Sequence, residues 1–414
     1  RDSTVCAGAA SGGHLHVLKW ARETGCEWDY KTPTAAAKNG HLEVLKWARE
    51  NGCSWVIGWI GQEAATGGHF EVLKWARENQ RDGDVFRDDV CRGAAEGNHL
   101  EILKWGSENG YTLTDHVFNS AVKRGSLSML KWLKDNNCPW SKETCSLAAE
   151  MGDLEKLQWL RANGCPWSKK TCSSAAYRGH LEVLKWAREN GCPWRRSTAE
   201  NAVVGGRFEV LKWATENGCD YPDNAMAAAA HGGHLELMKW LKEKGWVLDK
   251  YTGLAASRGH LEVLKWAVEN GMTWDDYGSD ACRTAASSGH LEILKWLLEN
   301  GCRSKGWEQT SCNAAAEGGH LKVIKWIVEN NNADYNWSRI GHSALYADKL
   351  NIVKWLVAKG YPIPWPDLVQ ERHEMAKIPS IVPGEIDGNL SFKLIQFLKG
   401  KGLITFDASL NKAF

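Results

Sequence analysis

The sequence predicts an all-α solenoid of about 13–14 helix–turn–helix repeats, because one short pattern recurs along most of the chain. The pair Lys-Trp, once Gln-Trp, marks thirteen copies, and the commonest spacing between successive copies is 27 residues. A single copy cannot bury its apolar face alone, whereas stacked copies share a continuous core. The tryptophans of this column are Trp20, Trp47, Trp75, Trp105, Trp132, Trp159, Trp186, Trp213, Trp240, Trp266, Trp296, Trp326 and Trp355.

The first segment of each copy is short and rich in small residues, as in TCSSAAYRG from Thr171. Its Ala-Ala pair allows neighbouring helices to approach closely. The glycine that follows is a common helix stop because it adopts a left-handed backbone without strain. The pattern therefore predicts a short, closely packed first helix in each repeat.

The second segment, HLEVLKWAREN from His180, places its apolar residues on one broad face at helical spacing. Charged residues take the opposite side, where Glu182 and Lys185 are at pairing distance. Gly191 then ends the segment. These features predict an amphipathic second helix that packs into the stack and exposes a charged stripe.

The repeats and a change in composition divide the chain into three predicted sections. Residues 1–360 form the array of thirteen repeats, the first of them truncated, so we expect a longer parent chain. Residues 361–388 form a Pro-rich insertion with a short helix at Asp367–Lys377. Residues 389–414 hold a degenerate last repeat and a C-terminal cap, with Phe397 in the tryptophan column.

Composition excludes several classes of function. The 51 basic and 50 acidic residues nearly cancel, so the chain has no bulk attraction for nucleic acid or for a membrane surface. No apolar run approaches the roughly 18 residues that a membrane span needs. The thirteen cysteines are an odd number without a C-x-x-C pair. We therefore predict reduced thiols and an intracellular, most simply cytoplasmic, location, with an organelle or the nucleus also open.

The shared pattern A-A-x-x-G-H-L-x-V-L-K-W-x-x-x-x-G resembles the ankyrin repeat, T-P-L-H-x-A-A-x-x-G-H-x-x-V-V-x-x-L-L-x-x-G-A-D. The resemblance covers residues 1–360 and a degraded copy near Asn389–Gly402. It is greatest to Trp-rich, short-period arrays of large DNA viruses, protists, oomycetes and algae. The resemblance implies an ankyrin-like solenoid that binds proteins and is not an enzyme.

Two departures from the ankyrin pattern limit what the resemblance implies. The ankyrin period is 33 residues, whereas the commonest spacing here is 27. Only CPWSKK links Gly164 to Thr171. That link is too short for the projecting β-hairpin finger of many ankyrin proteins, so we predict shortened fingers. The T-P-L-H signature is also replaced by T-C-S-x. The resemblance therefore implies a protein-binding scaffold but not contacts through finger tips.

Nine of the fourteen histidines share the position directly before the second helix. One histidine per repeat does not provide the converging ligands of a metal site. Other copies have Ser126 or Asp153 there, and both are N-cap residues. We therefore predict that the column serves a helix start, and we predict no metal and no cofactor. The nine are His14, His41, His69, His99, His180, His234, His260, His290 and His320.

Cysteines and a second set of tryptophans also recur at fixed positions. Cysteine repeats after the turn and in the first helix, which is typical of a small buried residue. No histidine–acid pair is specified near a cysteine, so we predict no catalytic residue. The tryptophans after the turn, such as Trp167 and Trp194, allow two interpretations. They form a ladder between repeats or, less favoured, a cage for a cationic ligand.

Binding residues are expected where the copies differ, and the residue after the Ala-Ala pair varies most. In the ankyrin arrangement this end of the first helix lies on the concave side. A partly basic, aromatic set there predicts a groove for an acidic segment of a protein partner, although ordinary surface variation explains the set equally well. The candidates are Lys123, Arg124, Tyr177, Arg178, Arg195, Arg196, His231, Arg258 and Tyr346.

Three functions compete at this stage. The leading one is a non-enzymatic scaffold that binds a protein partner along the groove. The second is a structural linker or assembly subunit of a large complex. The third, least favoured, is a repeat platform attached to an N-terminal catalytic or F-box-like domain, because the sequence has no nucleophile–base pair, phosphate loop or ligand cluster.

Overall fold

The computed structural model describes residues 3–79, 89–168, 170–248, 255, 258–272, 278–302, 305–369 and 392–404. Backbone contacts divide the chain into two compact units, residues 1–221 and 222–414. All regular secondary structure in the described ranges is helical, without a β-strand. The predicted all-α repeat solenoid is thereby confirmed.

The first unit alternates short first helices with nine-residue second helices. Its first helices are α1 (Thr4–Ser11), α3 (Lys31–Lys38), α5 (Ile57–Gly67), α7 (Asp89–Glu96), α9 (Asp115–Arg124), α11 (Thr144–Met151), α13 (Thr171–Arg178) and α15 (Arg196–Val204). Its second helices are α2 (Leu15–Glu23), α4 (Leu42–Glu50), α6 (Phe70–Glu78), α8 (Leu100–Glu108), α10 (Leu127–Asp135), α12 (Leu154–Ala162), α14 (Leu181–Glu189) and α16 (Phe208–Glu216).

The second unit has the same alternation. Its helices are α17 (Ala225–Gly232), α18 (Leu235–Glu243), α19 (Leu261–Glu269), α20 (Gly278–Ser287), α21 (Leu291–Glu299), α22 (Trp307–Gly318), α23 (Leu321–Asn330), α24 (Trp337–Tyr346), α25 (Leu350–Lys359) and α26 (Phe392–Gly400). Residues 365–369 are also helical, and the rest of the predicted helix to Lys377 lies outside the described residues. The predicted section boundaries at 360 and 388 remain predictions.

Successive first helices pack directly on one another within each unit, as α11 does on α13 and α13 on α15. The Ala-Ala pairs are fully buried, as at Ala175 and Ala176. A methyl group built on Gly93 of α7 would lie only 2.3 Å from the carbonyl oxygen of Gln62 in α5. Small residues are therefore required in this row because the backbones nearly touch.

The second helices bury an apolar face and expose paired charges, as the sequence predicts. Val183, Leu184 and Ala187 of α14 are buried. On the outer face, Lys185 lies 2.8 Å from Glu182, and the same pairing recurs along the array. Each exposed pair contributes little to stability. Burial of the apolar face is thus the larger stabilising contribution of this helix.

The histidine column connects successive repeats, and this role differs from the predicted one. The Nε2 atom of His180 donates to the carbonyl oxygen of Glu150 in the preceding repeat, at 3.0 Å. His41 and His99 make the same bond to Ser11 and Thr66. These carbonyls lie in the last turn of a first helix, where the helix itself supplies no donor.

The predicted N-cap role is therefore wrong for the histidines, whose side chains cap no second helix in the described residues. It is correct for Ser126 and Asp153. The side-chain oxygens of Ser126 and Asp153 accept hydrogen bonds from the backbone N–H groups of Met129 and Lys156. Imidazole at this position instead extends across the repeat boundary.

Other cationic side chains take over the bond where histidine is absent. Arg207 Nε donates to the carbonyl of Tyr177 at 3.1 Å. In the repeat that has Asp153, Lys156 Nζ donates to the carbonyl of Val122 at 3.2 Å. The bond across the repeat boundary is thus not specific to imidazole, and it can come from a side chain at this position or three residues later.

The left-handed glycine that ends a first helix lies against the histidine ring of the next repeat. Gly152 has a φ of 74°, and a methyl group built on it would lie 2.5 Å from ring atoms of His180. Gly164, at the end of the following second helix, has a φ of 86° but open space around it. Gly152 therefore has two constraints, one conformational and one steric, whereas Gly164 has only the first.

We predict that His180→Ala lowers the free energy of unfolding by about 1 kcal/mol, since a net hydrogen bond contributes about that much. His180→Arg should retain most of it, because arginine makes the same bond at position 207. Urea unfolding followed by circular dichroism measures both. Equal losses for the two variants, or none for alanine, would contradict the proposed role of the bond.

Gly152→Ala should destabilise the chain more than Gly164→Ala. The second change should cost about 1–2 kcal/mol, the penalty for a left-handed non-glycine residue. The first adds the clash with His180, so its extra cost should shrink when it is combined with His180→Ala. Urea titrations of the four variants measure this difference, and equal costs for the two glycines would disprove the steric contact.

Candidate functional site

The two tryptophan sets form a ladder between repeats. The ring of Trp167 meets Trp186 of the next repeat edge-to-face at 5.9 Å, and Trp194 meets Trp213 at 5.6 Å. The guanidinium of Arg161 lies over Trp167 at 4.3 Å. The predicted ladder is therefore present, and a cation from the chain itself occupies the ring face that an aromatic cage would offer to a ligand.

The thirteen cysteines, all within the described residues, form no disulfide bond, and nearly all are buried, with Cys26 alone partly exposed. Within a repeat the two columns meet, as where the Cys145 thiol donates to the sulfur of Cys165 at 3.3 Å. That hydrogen bond raises the pKa of the Cys145 thiol. Burial raises the pKa of Cys138 to about 12. Burial and a raised pKa disfavour the thiolate form of Cys138 and Cys145, which pack as small apolar residues do.

The histidines are likewise engaged singly. In the second unit, burial lowers the pKa of His260 and His320, whose rings bond the backbone of His231 and Ser287. Among the described residues no three histidine, cysteine or acidic side chains come together as metal ligands. No helix in those ranges has the length and hydropathy to span a bilayer.

We expect Cys26 to be alkylated first when the native chain is treated with iodoacetamide at pH 7.5. The thiolate is the attacking form, and both burial and a raised pKa suppress it at sites such as Cys53, whose pKa rises to about 11. Peptide mass spectrometry of timed samples measures the order, with guanidinium-unfolded chain as the control. Uniform labelling of the native chain would contradict the buried assignment.

Four of the predicted groove residues lie at the ends of first helices in the first unit. Lys123 and Arg124 close α9 with exposed side chains, and neither forms an ion pair within the described ranges. Tyr177 is 41% exposed near the end of α13. Arg178 lies 2.8 Å from Glu150 of the preceding repeat, and this carboxylate raises its pKa. Arg178 therefore already pairs with a carboxylate of the preceding repeat.

Arg195 and Arg196 begin α15 and differ in their surroundings. Arg195 occupies the N-cap position with an exposed side chain. Arg196 Nε lies 3.6 Å from Glu200 within the same helix. Arg195 is thus the more accessible cation of the two.

The remaining candidates belong to the second unit. Arg258 Nε donates to Nε2 of His231 at 3.0 Å, so this basic pair is joined internally. Tyr346 stacks on His342 with ring centres 5.7 Å apart. The candidate groove therefore divides between the units, and the first unit holds its more accessible cations.

A cavity of about 550 Å³ opens across three successive first helices of the first unit. Tyr177 and Arg195 were predicted from the sequence, whereas the other lining residues were missed. The full lining is Glu150, Lys170, Ser173, Ser174, Tyr177, Arg195, Ser197 and Asn201. Ser173 and Ser174 precede Tyr177 by four and three residues, so helical spacing from Tyr177 would have found them.

A family profile described as "Ankyrin repeats (3 copies)" matches residues 225–306 and 284–364. Residues 225–364 contain ankyrin repeats. This match lies within the second unit, and helix pairs of the same form run through the first. Ankyrin repeats are generally non-catalytic and support a protein-interaction scaffold.

Other comparisons add little to the ankyrin match. A search of curated proteins finds no match. Among solved structures, the pentatricopeptide repeat protein PPR10 from maize is 12% identical, with 99% of this chain and 70% of that chain covered at a TM-score of 0.30. PPR10 in complex with an 18-nt psaJ RNA element is 11% identical, with 97% and 74% covered at a TM-score of 0.27. TM-scores this low carry no inference about this chain.

Proposed function

We propose that the chain is a non-enzymatic scaffold that binds a protein partner along the ends of its first helices, here named the groove. The observation that carries the proposal is the accessibility of the first-unit candidates. Lys123, Arg124 and Arg195 form no ion pair within the described residues, and the side chain of Tyr177, two first helices after Lys123 and Arg124, is 41% exposed. Unpaired cations and an exposed aromatic ring suit an acidic protein segment.

A second candidate function is that of a structural subunit in a large complex. Exposed aromatic surface near the start of the first unit favours it. Trp59 is 45% exposed, and its ring lies 4.7 Å from the ring of Tyr30. Exposed apolar patches commonly mark protein contacts.

Affinity capture with quantitative mass spectrometry tests the groove. Lys123→Glu combined with Arg195→Glu should reduce recovery of a direct partner at least about tenfold, because like charges would oppose an acidic segment. The matched control is Lys131→Glu, which changes an exposed lysine on the second helix α10. Arg178 is not used because its change would leave Glu150 unpaired.

Two results would contradict the groove. The first is unchanged recovery of all partners by the double variant. The second is loss of partners in a Trp59→Ser variant alone, together with stoichiometric recovery of one large complex from the unchanged chain. The second result would favour the structural subunit.

A further inference from the structure

The cavity across α11, α13 and α15 has the size and openness of a ligand site. Its volume of about 550 Å³ falls within the usual range of 300–1,000 Å³ for binding pockets. Lys170, Tyr177 and Arg195 stand at its rim with exposed side chains. The floor includes Ser173, which is buried. An open cavity of this kind admits part of a longer chain.

The charges of the lining favour an anion. Lys170 and Arg195 form no ion pair within the described residues. Glu150 is the one acidic residue of the lining, and Arg178 already compensates it at 2.8 Å. The cavity therefore has two uncompensated positive charges.

The hydrogen-bonding groups of the lining also favour an anionic ligand. The backbone carbonyls of Glu150 and Tyr177 already accept bonds from His180 and Arg207 of the following repeats. These two carbonyl oxygens already have donors within the chain and offer little to a ligand that donates hydrogen bonds. The exposed groups at the rim are instead donors, namely the ammonium of Lys170 and the guanidinium of Arg195, which suit a carboxylate.

We propose that this cavity holds an acidic side chain, aspartate or glutamate, of an extended peptide segment in the protein partner. Lys170 and Arg195 pair with its carboxylate, and the neighbouring peptide backbone lies against the ring of Tyr177. The inference rests on the proposed groove function. It identifies this acidic side chain, here named the anchor, as the part of the partner that enters the cavity.

A peptide fits the surroundings better than single-stranded nucleic acid does. Nucleic acid requires a continuous basic track and successive stacking rings. Here Tyr177 is the single aromatic residue of the cavity lining, and acidic residues interrupt the same row at Glu96 and Glu150. The net charge of the chain is only +1. This charge pattern provides one local binding site for a single carboxylate.

Fluorescence anisotropy with the full chain tests the proposal, using fluorescein-labelled octaglutamate as probe and octaglutamine as the uncharged control. We expect octaglutamate to bind and octaglutamine not to bind. Lys170→Gln and Arg195→Gln should each weaken binding about 3–10-fold, in line with the loss of one charge-assisted hydrogen bond. The matched control Lys131→Gln, on the outer face, should change it less than about twofold. Circular dichroism confirms that each variant is folded.

Glu150→Gln adds a test that a purely structural role would not satisfy. It removes the acidic residue of the lining and releases Arg178 from its ion pair. Octaglutamate should then bind more tightly than it does to the unchanged chain. Weaker or unchanged binding would contradict the electrostatic account of the cavity.

Three further results would overturn the proposal. They are absence of octaglutamate binding, equal weakening by Lys131→Gln, and tighter binding of an 18-nucleotide oligouridine that Arg195→Gln abolishes. The last would assign the cavity to nucleic acid. If octaglutamate fails but Lys123→Glu with Arg195→Glu still loses a captured partner, the groove function stands and only the anchor is wrong. If octaglutamate binds but capture is unaffected, the cavity accepts a carboxylate, but the groove function is wrong and so is the assignment of that carboxylate to the captured partner.

Discussion

The stack depends on the hydrogen bond between a side chain of one repeat and the last-turn carbonyl of the preceding first helix. A short helix leaves these carbonyls without internal donors, so a neighbour must supply them. His180 does this for Glu150, and Arg207 does it for Tyr177. Since each bond crosses a repeat boundary, a repeat is complete only when the next one is in place. The left-handed Gly152 follows from the same contact because the ring lies against it.

This constraint explains why the histidines, cysteines and tryptophans that recur in the sequence make stacking contacts. The histidines are used as donors across boundaries, the cysteines fill the space between two helices of one repeat, and the tryptophans pack on the next repeat. Arg161 even occupies the ring face of Trp167. Function is therefore left to residues outside these columns. In the first unit those residues include Lys170, Tyr177 and Arg195 at the open cavity.

The sequence was sufficient for the helices, their order and their buried faces, because period and composition alone determine these features. It was insufficient for the histidine donor, since position before a helix is compatible with an N-cap and with a bond to another repeat. The structure decides between these two roles, because only the packing of adjacent repeats shows which backbone group the ring reaches. The same limit applies to Arg178, whose partner Glu150 lies one repeat away. Variation between copies selected Tyr177 as a candidate, and charge on the adjoining turn selected Arg195, but the sequence could not group Lys170 with them because their proximity arises from packing.

Tyr177 shows how one position serves both stability and recognition without conflict. Its backbone carbonyl accepts the bond from Arg207 that joins the repeats, while its side chain remains 41% exposed. The stack therefore constrains the backbone at this position but not the side chain. Different side chains can occupy it, as Glu150 does one repeat earlier, without loss of the hydrogen bond to the next repeat. A repeat array of this type can consequently change its partner at the ends of its first helices while the stacking columns stay the same.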